Sequence, residues 1–432
     1  MVETMDWIKL EQIQKDSNTI IFHFSVSQGL QRFFSDSLFR IDYPFSVLSI
    51  PDAVLTVPFV CCVLPIIWIT NANLIVPELD KAFYECIPNV KAGYQEMYPE
   101  TAFLGSIEVG NIITCNQKAI SGKSAMLFSG GADSLDTLYR HLDETPSLIS
   151  IWGSDIKYDN VEGWQPLNAV IQDAAKHYKL PSVIIRSTFR GFDKEWELDK
   201  AFSAQLRDGW WHGVKHGIAL LGHVAPYAYL HNLEKMYIAS SHCPEDGHVR
   251  CASNPSIDNH VRFASCSVIH DGFDYSRQEK IRNIVQYATA HNDYFPLHVC
   301  WETQTGKNCC HCEKCFRTII AIIAEGGDPA KFGFPDYEKH LPELEKVLKK
   351  SHPDTLKRFW PHIQKRILQR KEEGIQLLLK RNLRFLVHAD FNRPEFLTTP
   401  LSKRVRRASG LRGKLSQFRT YQKLHDLKEK IK

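Results

Sequence analysis

The 432-residue sequence has no apolar run suited to a bilayer span. A spanning helix needs about 20 predominantly apolar residues. Ala53 to Ile69 is uncharged for seventeen residues, but it carries Pro58 and Pro65 and many β-branched residues. It reads as two buried strands rather than a membrane helix. Met1 to Lys15 is acidic and has no apolar core, so it does not read as a secretory signal. There are no internal repeats. Outside residues 300–315 no cysteine pair has C-x-x-C spacing, which counts against a sulfur relay. Residue 2 is Val2 and no G-x-C-x-G stretch occurs, which counts against a fused glutaminase.

What is present begins with a substantial core. Hydrophobic residues make up 44% of the chain, enough for two or three domains. Twelve cysteines occur. Four cluster near residue 300; the other eight (Cys61, Cys62, Cys86, Cys115, Cys243, Cys251, Cys266, Cys310) are scattered. The scattered ones read as buried free thiols of a reducing, cytoplasmic setting. The net charge of +4 hides an asymmetry. Residues 341–432 hold 24 Lys and Arg against 9 Asp and Glu, a net of +15 that leaves −11 for the first 340. The densest part is Lys403-Arg404-Val405-Arg406-Arg407, then Arg412, Lys414 and Arg419. Nucleic acid, an acidic protein, or the acidic remainder of the chain are candidate partners; a solvated basic helix with a frayed tail is the plain alternative.

The strongest motif is Leu127-Phe128-Ser129-Gly130-Gly131-Ala132-Asp133-Ser134. An apolar run enters it, and a helical pattern (Leu135, Leu138, Tyr139, Leu142) leaves it. A strand–glycine turn–helix offers free backbone N–H groups and a positive helix end to an anion. Two glycines let a phosphate approach the backbone. Asp133 is a candidate Mg²⁺ ligand, and Ser129 and Ser134 add hydroxyls. A capped strand-to-helix turn without a ligand is the bland alternative. Downstream, Cys300, Cys309, Cys312 and Cys315 have C-x8-C-x2-C-x2-C spacing. Four thiolates this close suit a structural Zn²⁺, with a disulfide pair as the rival. Cys310 competes with Cys309 for one ligand position. Gly306, Lys307 and Asn308 form the turn before the knuckle, and Lys307 and Arg317 flank it as candidates for a substrate carboxylate.

The loop resembles the PP-loop of the ATP pyrophosphatase superfamily, whose members cleave ATP between the α- and β-phosphates. The loop and the cysteine spacing together, from about Ala125 to Ala324, resemble the QueC family, the 7-cyano-7-deazaguanine synthases. The first 120 and last 100 residues do not share that resemblance. It implies ATP, Mg²⁺ and Zn²⁺, and adenylation of a small-molecule carboxylate such as a deazaguanine acid. Ammonia or an amine then displaces AMP. Enlarged QueC-like proteins also occur in bacterial antiviral gene clusters, and this chain resembles those, which adds a protein partner or protein substrate to the expectations. A thiolase-like enzyme of tRNA or nucleobases and a non-catalytic nucleotide-binding scaffold are the alternatives.

The fold expectation is α/β, with a parallel-sheet, Rossmann-like domain of the adenine nucleotide alpha hydrolase type over residues 121–330. Residues 1–120 read as β-rich and residues 331–432 as basic and helical. Expected strands are Thr19–Val26, Ile66–Ile69, Leu74–Pro77, Ala125–Phe128, Leu148–Trp152, Ser182–Arg186 and Met236–Ala239. Expected helices are Glu78–Ile87, Leu135–Leu142, Trp164–Tyr178, Gly217–Leu230, Pro342–Lys350 and Gln364–Leu379. A parallel sheet puts its strand-end loops on one edge. The resemblance implies that the backbone at Trp152 and Gly153 receives adenine, and Ser240, Ser241 and His242, on the same edge, would face a sugar, a phosphate or the substrate. Weaker candidates are Asp258 for a second Mg²⁺, His216 for an acyl-adenylate, and Arg277 and Lys280 for the leaving pyrophosphate. A surface charge face explains the last pair equally well.

Overall fold

The computed structural model describes residues 5–115, 120–300, 302–303, 307–370, 373 and 383–391. Lys403–Arg407, Arg412, Lys414, Arg419, Gly306 and most of 371–379 lie outside the described residues. The chain divides into two compact units: Met1–His298 with Thr303–Lys307, and Val299–Glu302 with Asn308–Lys432.

The first unit is α/β and carries an eleven-stranded, mostly parallel sheet. Its strands are β1 (Trp7–Asp16), β2 (Thr19–Val26), β3 (Phe39–Asp42), β4 (Asn73–Asp80), β5 (Ser106–Ile113) and β6 (Ser124–Leu127). The rest are β7 (Ser147–Trp152), β8 (Ser182–Ser187), β9 (Lys235–Ala239), β10 (Arg262–Phe263) and β11 (Cys266–Asp271). The spatial order is β10-β11-β9-β6-β7-β8-β3-β2-β1-β4-β5. Strands β11, β9, β6, β7 and β8 are all parallel. The chain runs β6 to β7 to β8 in one direction, then returns to place β9 on the other side of β6. The sheet thus reverses its strand order between β6 and β9, the kind of crevice where open α/β sheets bind ligands.

The first 113 residues extend the same sheet. Strand β3 pairs antiparallel with β8 through Ile41–Ser187 and Asp42–Arg186. The β1–β2 hairpin follows, then β4 and β5 in parallel. Strand β1 is rich in charge, yet Ile8 and Leu10 are buried while Lys9 and Glu11 face out, the period of two of a half-covered strand.

Ala53 to Ile69 is helical, not a pair of strands. It forms α1 (Asp52–Leu55) and α2 (Val57–Thr70), so the expected strand Ile66–Ile69 is the last turn of α2. Val57 to Trp68 is buried on every side, so no alternation of either period marks it. Pro58 falls in the first turn, where its missing N–H costs nothing, and Asn71 ends the helix in the left-handed conformation at φ 55°. Burial from all directions outweighed β-branched propensity. Likewise Glu78–Asp80 ends β4, and helix α3 (Lys81–Met97) begins where the Asp80 carboxylate accepts from the Phe83 N–H.

The other expected strands and helices of this unit are found, with shifted ends. Helix α4 spans Ala132–Arg140 and α5 spans Val161–Tyr178; α6 is Glu195–Leu206. The expected helix Gly217–Leu230 is split into α7 (His216–Gly222) and α8 (Ala225–His231), with α9 (Pro255–Asp258) and α10 (Arg277–His291) after it. The eight scattered cysteines are free and buried. No helix among the described residues is long and apolar enough to cross a membrane.

The second unit is built on α11 (Glu313–Ala324), whose residues from Cys315 to Ala324 are all buried. Then come α12 (Leu344–Leu348) and α13 (Pro353–Gln369). Helix α13 lies on α11: Trp360 Nε1 donates to Glu313 at 3.0 Å, Arg366 pairs with Glu325 at 2.8 Å, and Arg317 stacks over Phe359.

One close packing can be tested directly. A Cβ on Gly222 of α7 would stand 2.6 Å from Cys61 Cβ of α2. Overpacking costs roughly 1–3 kcal/mol, against a helix-propensity gain of about 1 kcal/mol for Gly→Ala. Gly222→Ala is therefore expected to lower the urea midpoint of the transition that melts this unit, and an unchanged or raised midpoint would show that the two helices give way.

Candidate functional site

Strand β6 ends at Leu127, and five residues later the chain is helical. Gly130 makes the turn at φ +71°, a region a side chain rarely adopts, and a Cβ there would meet Val170 Cγ1 at 2.7 Å. Gly131 is the N-cap of α4, and no side chain caps that helix. The first-turn N–H groups of α4 therefore have no side-chain acceptor at the cap and point out at the strand-end edge. The Ser129 and Ser134 hydroxyls lie 3.4 Å apart, and Ser134 donates to the Gly131 carbonyl at 3.1 Å. The loop is pinned from both sides. Ser150 of β7 donates to the Phe128 carbonyl, and the His298 N–H donates to the Gly130 carbonyl at 2.8 Å.

Asp133 receives two cations from α10. Arg277 meets Oδ2 at 2.5 Å and Lys280 Nζ stands 3.5 Å from Oδ1. Lys280 is 2% exposed and also donates to the Ser240 carbonyl after β9. Its ammonium is held below its ordinary pKa by burial, against the pull of Asp133. The expectation of a surface charge face thus fails for Lys280. Two turns further along α4, Arg140 pairs with Asp136 and with Asp271 at the end of β11. Burial alone would raise the Asp271 carboxyl. Hydrogen bonds from His141, Arg140 and Thr137, and the charge of Arg140, hold it well below the usual carboxylate range. The sequence offered no signal for Asp271, because its partners lie about 130 residues away.

At the end of β7, Gly153 has φ +120°, and a Cβ would stand 1.8 Å from the Ser187 carbonyl oxygen. Trp152 stacks on Trp164 with ring centres 5.3 Å apart and planes within 1°. The Arg186 guanidinium sits 4.2 Å over Trp152 and 3.9 Å over Tyr158. This aromatic–cation wall was not legible in sequence, since its members come from separate elements. After β9, Ser240 is buried and its hydroxyl donates to the His242 carbonyl at 2.8 Å; Ser241 is partly exposed. Asp258 is buried, and its hydrogen-bond partners are Ser253 and His270 rather than any residue of the loop. His216 opens α7, and the Trp211 ring stands edge-on to it with ring centres 5.3 Å apart.

In the second unit, the sulfurs of Cys300, Cys309, Cys312 and Cys315 all lie within 4.8 Å of one another. The group can hold a metal such as zinc, and the donor set fits one. Cys312 is the N-cap of α11 and accepts from the Cys315 N–H at 3.4 Å, so the helix start fixes two of the four. Cys310, at φ 60°, turns its sulfur toward the carbonyls of Asn308 and Pro335. Between Cys309 and Cys310 the geometry selects Cys309.

No protein-family model, curated protein or solved structure matches this chain.

Two outcomes follow. Cys309→Ser and Cys312→Ser are each expected to remove about one equivalent of bound metal, whereas Cys310→Ser retains it, as elemental analysis of the purified chain would show. Asp271 has a depressed carboxyl, so its contribution to stability is complete above the unfolded value near pH 4. It is lost as the pH falls below that. Asp271→Asn should therefore destabilise the chain at pH 7 and narrow its deficit toward pH 3 in thermal melts; an equal deficit at both would remove the electrostatic account.

Proposed function

We propose that the chain is an ATP-dependent carbon–nitrogen ligase of the QueC-like type, which forms AMP and pyrophosphate. The observation that carries this reading is the loop Ser129–Ser134. It combines a left-handed glycine, an uncapped helix start and two cations from α10, and it lies where the strand order reverses. Few ligands need so many donors and so much positive charge at one strand end; a polyphosphate does.

On this reading the β- and γ-phosphates of ATP lie against the N–H groups of Gly130 to Asp133 and the hydroxyls of Ser129 and Ser134. Asp133 is the carboxylate that would hold the magnesium accompanying the nucleotide. Arg277 and Lys280, paired with Asp133, would then be shared with the phosphates. A substrate carboxylate attacks the α-phosphorus and pyrophosphate leaves. The N–H groups, fixed by the turn, and the two cations stabilise charge that builds on the departing oxygens. Trp152 and Gly153 border the adenine position. Ammonia or an amine then attacks the acyl carbon and AMP departs. A zinc ion held by four thiolates has no open position, so Cys300, Cys309, Cys312 and Cys315 serve structure rather than water activation. The acid is a deazaguanine carboxylate or another small acid, and the amine belongs to ammonia or to a protein partner, as in antiviral clusters. Nucleic acid is a further partner for the basic C-terminal residues.

A second reading has one observation behind it. Asp133 is already neutralised by two cations, an arrangement that also suits a nucleotide-binding scaffold without turnover. Mass spectrometry separates the two. With ATP, Mg²⁺ and 7-carboxy-7-deazaguanine, the ligase yields AMP, pyrophosphate and a modified deazaguanine, all lost in Asp133→Ala. Lys280→Met is expected to lower the rate by 10²–10³-fold, roughly the effect of removing one electrostatic donor to a developing anion. AMP without a deazaguanine product keeps the enzyme class and moves the substrate to other acids. Binding of ATP with no AMP formed supports the scaffold.

A further inference from the structure

A second group of metal-ligand atoms lies in the sheet-bearing unit, outside the loop and the cysteine knuckle. One donor atom each from His212, His242 and Cys251 falls within 4.8 Å of the others. The three come from different segments. His212 lies in a single π-helical turn, Trp211–Lys215, directly before α7. His242 is the third residue after β9, and Cys251 lies between β9 and α9. A π-turn inside helical structure is uncommon and occurs often at functional sites. It is held in place here by the Ala252 N–H, which donates to the His212 carbonyl at 2.9 Å. That bond ties the histidine to the residue after Cys251.

We propose that His212, His242 and Cys251 bind a zinc ion, with a fourth coordination position left for water or a substrate oxygen or nitrogen. Two imidazoles and one thiolate are borderline-soft donors that suit Zn²⁺. Zinc bonds of about 2.0–2.3 Å separate tetrahedral ligand atoms by roughly 3.3–3.8 Å. Donors already within 4.8 Å reach that spacing by small side-chain rotations. The outer contacts fit as well. His212 Nδ1 is 2.5 Å from Asp208 Oδ2, a carboxylate–histidine contact that leaves Nε2 as the metal-facing nitrogen. The His212 and His242 rings stand edge to face, with centres 6.0 Å apart. Cys251 and His242 are 1% and 5% exposed, whereas the His212 side chain is 48% exposed, so an ion has a buried floor and an entry side.

The converging rings favour a metal over a bare cysteine nucleophile. A nucleophilic thiol needs one base, and the base needs one orienting group. Here two imidazoles converge on one sulfur. Zinc with three protein ligands is the arrangement that keeps a reactive position, in contrast to the closed four-thiolate knuckle. Position on the sheet gives the site its relevance. His242 is two residues from Ser240, whose carbonyl accepts from Lys280, the lysine at Asp133. The ion would stand on the strand-end edge that carries the glycine loop.

Zinc counting tests this without any assay of turnover. The full chain is incubated with excess Zn²⁺, desalted and measured by elemental analysis. The expected result is about two zinc ions per chain, about one in Cys251→Ser, about one in Cys312→Ser and about none in the double variant. His212→Gln, on the half-exposed side chain, guards against misfolding: it should also fall to about one while far-ultraviolet circular dichroism is unchanged. A wild-type count that never exceeds one, or a Cys251→Ser count equal to wild type, overturns the proposal. A count of one together with rapid alkylation of Cys251 by iodoacetamide would assign the trio to thiolate chemistry instead.

Discussion

Parallel pairing of β6 with β7 on one side and β9 on the other governs what the first unit can do. Those two ladders, Met126 against Leu148 and Met126 against Tyr237, hold the exits of three strands on one edge. The glycine loop, Trp152, Gly153, Ser240 to His242, Arg277 and Lys280 come from these exits or from helix α10 beside them. The loop after β6, Trp152 and Gly153 after β7, and Ser240 to His242 after β9 are far apart in sequence and share an edge only because backbone hydrogen bonds fix the register. A one-residue slip of β6 would turn its side chains to the opposite faces.

Charge on that edge is balanced locally. Asp133, Asp136 and Asp271 are matched by Arg277, Lys280, Arg140, His141 and Asn283. Leaving any one member uncompensated in so dry a place is costly, because a buried ion without a partner loses several kcal/mol of hydration with no return. Such networks add little net stability but hold side chains in one arrangement. Lys280 shows the use of this: its single ammonium ties the loop helix to the turn after β9.

The sequence was most legible where local rules act alone. The glycine loop, the strand before it and the helix after it follow from turn chemistry and periodicity, and the four-cysteine spacing follows from the short reach of a metal. Helix α2 was misread because complete burial erases the pattern that separates helix from strand. Strands β1, β3, β5, β10 and β11 were not expected; β3 has only four residues and is set by its neighbours β2 and β8. For Lys280 the sequence left a pyrophosphate contact and a surface charge face equally open, and only the packing of α10 against α4 turns it inward.

Sequence alone determined the groups on offer: a glycine turn between strand and helix at Ser129–Ser134 and clustered thiols at Cys300, Cys309, Cys312 and Cys315. Both are local, encoded within sixteen residues or fewer, and need only backbone preference and donor type. Tertiary structure decided which distant residues join them. It brought Arg277 and Lys280 to Asp133, excluded Cys310 from the cluster, and gathered His212, His242 and Cys251 around one point. It also made residues 7–113 an extension of the same sheet as the loop. The reason is that strand order and helix packing are settled by the sum of many weak burial and hydrogen-bond terms across the whole unit, and no short stretch of sequence carries that sum.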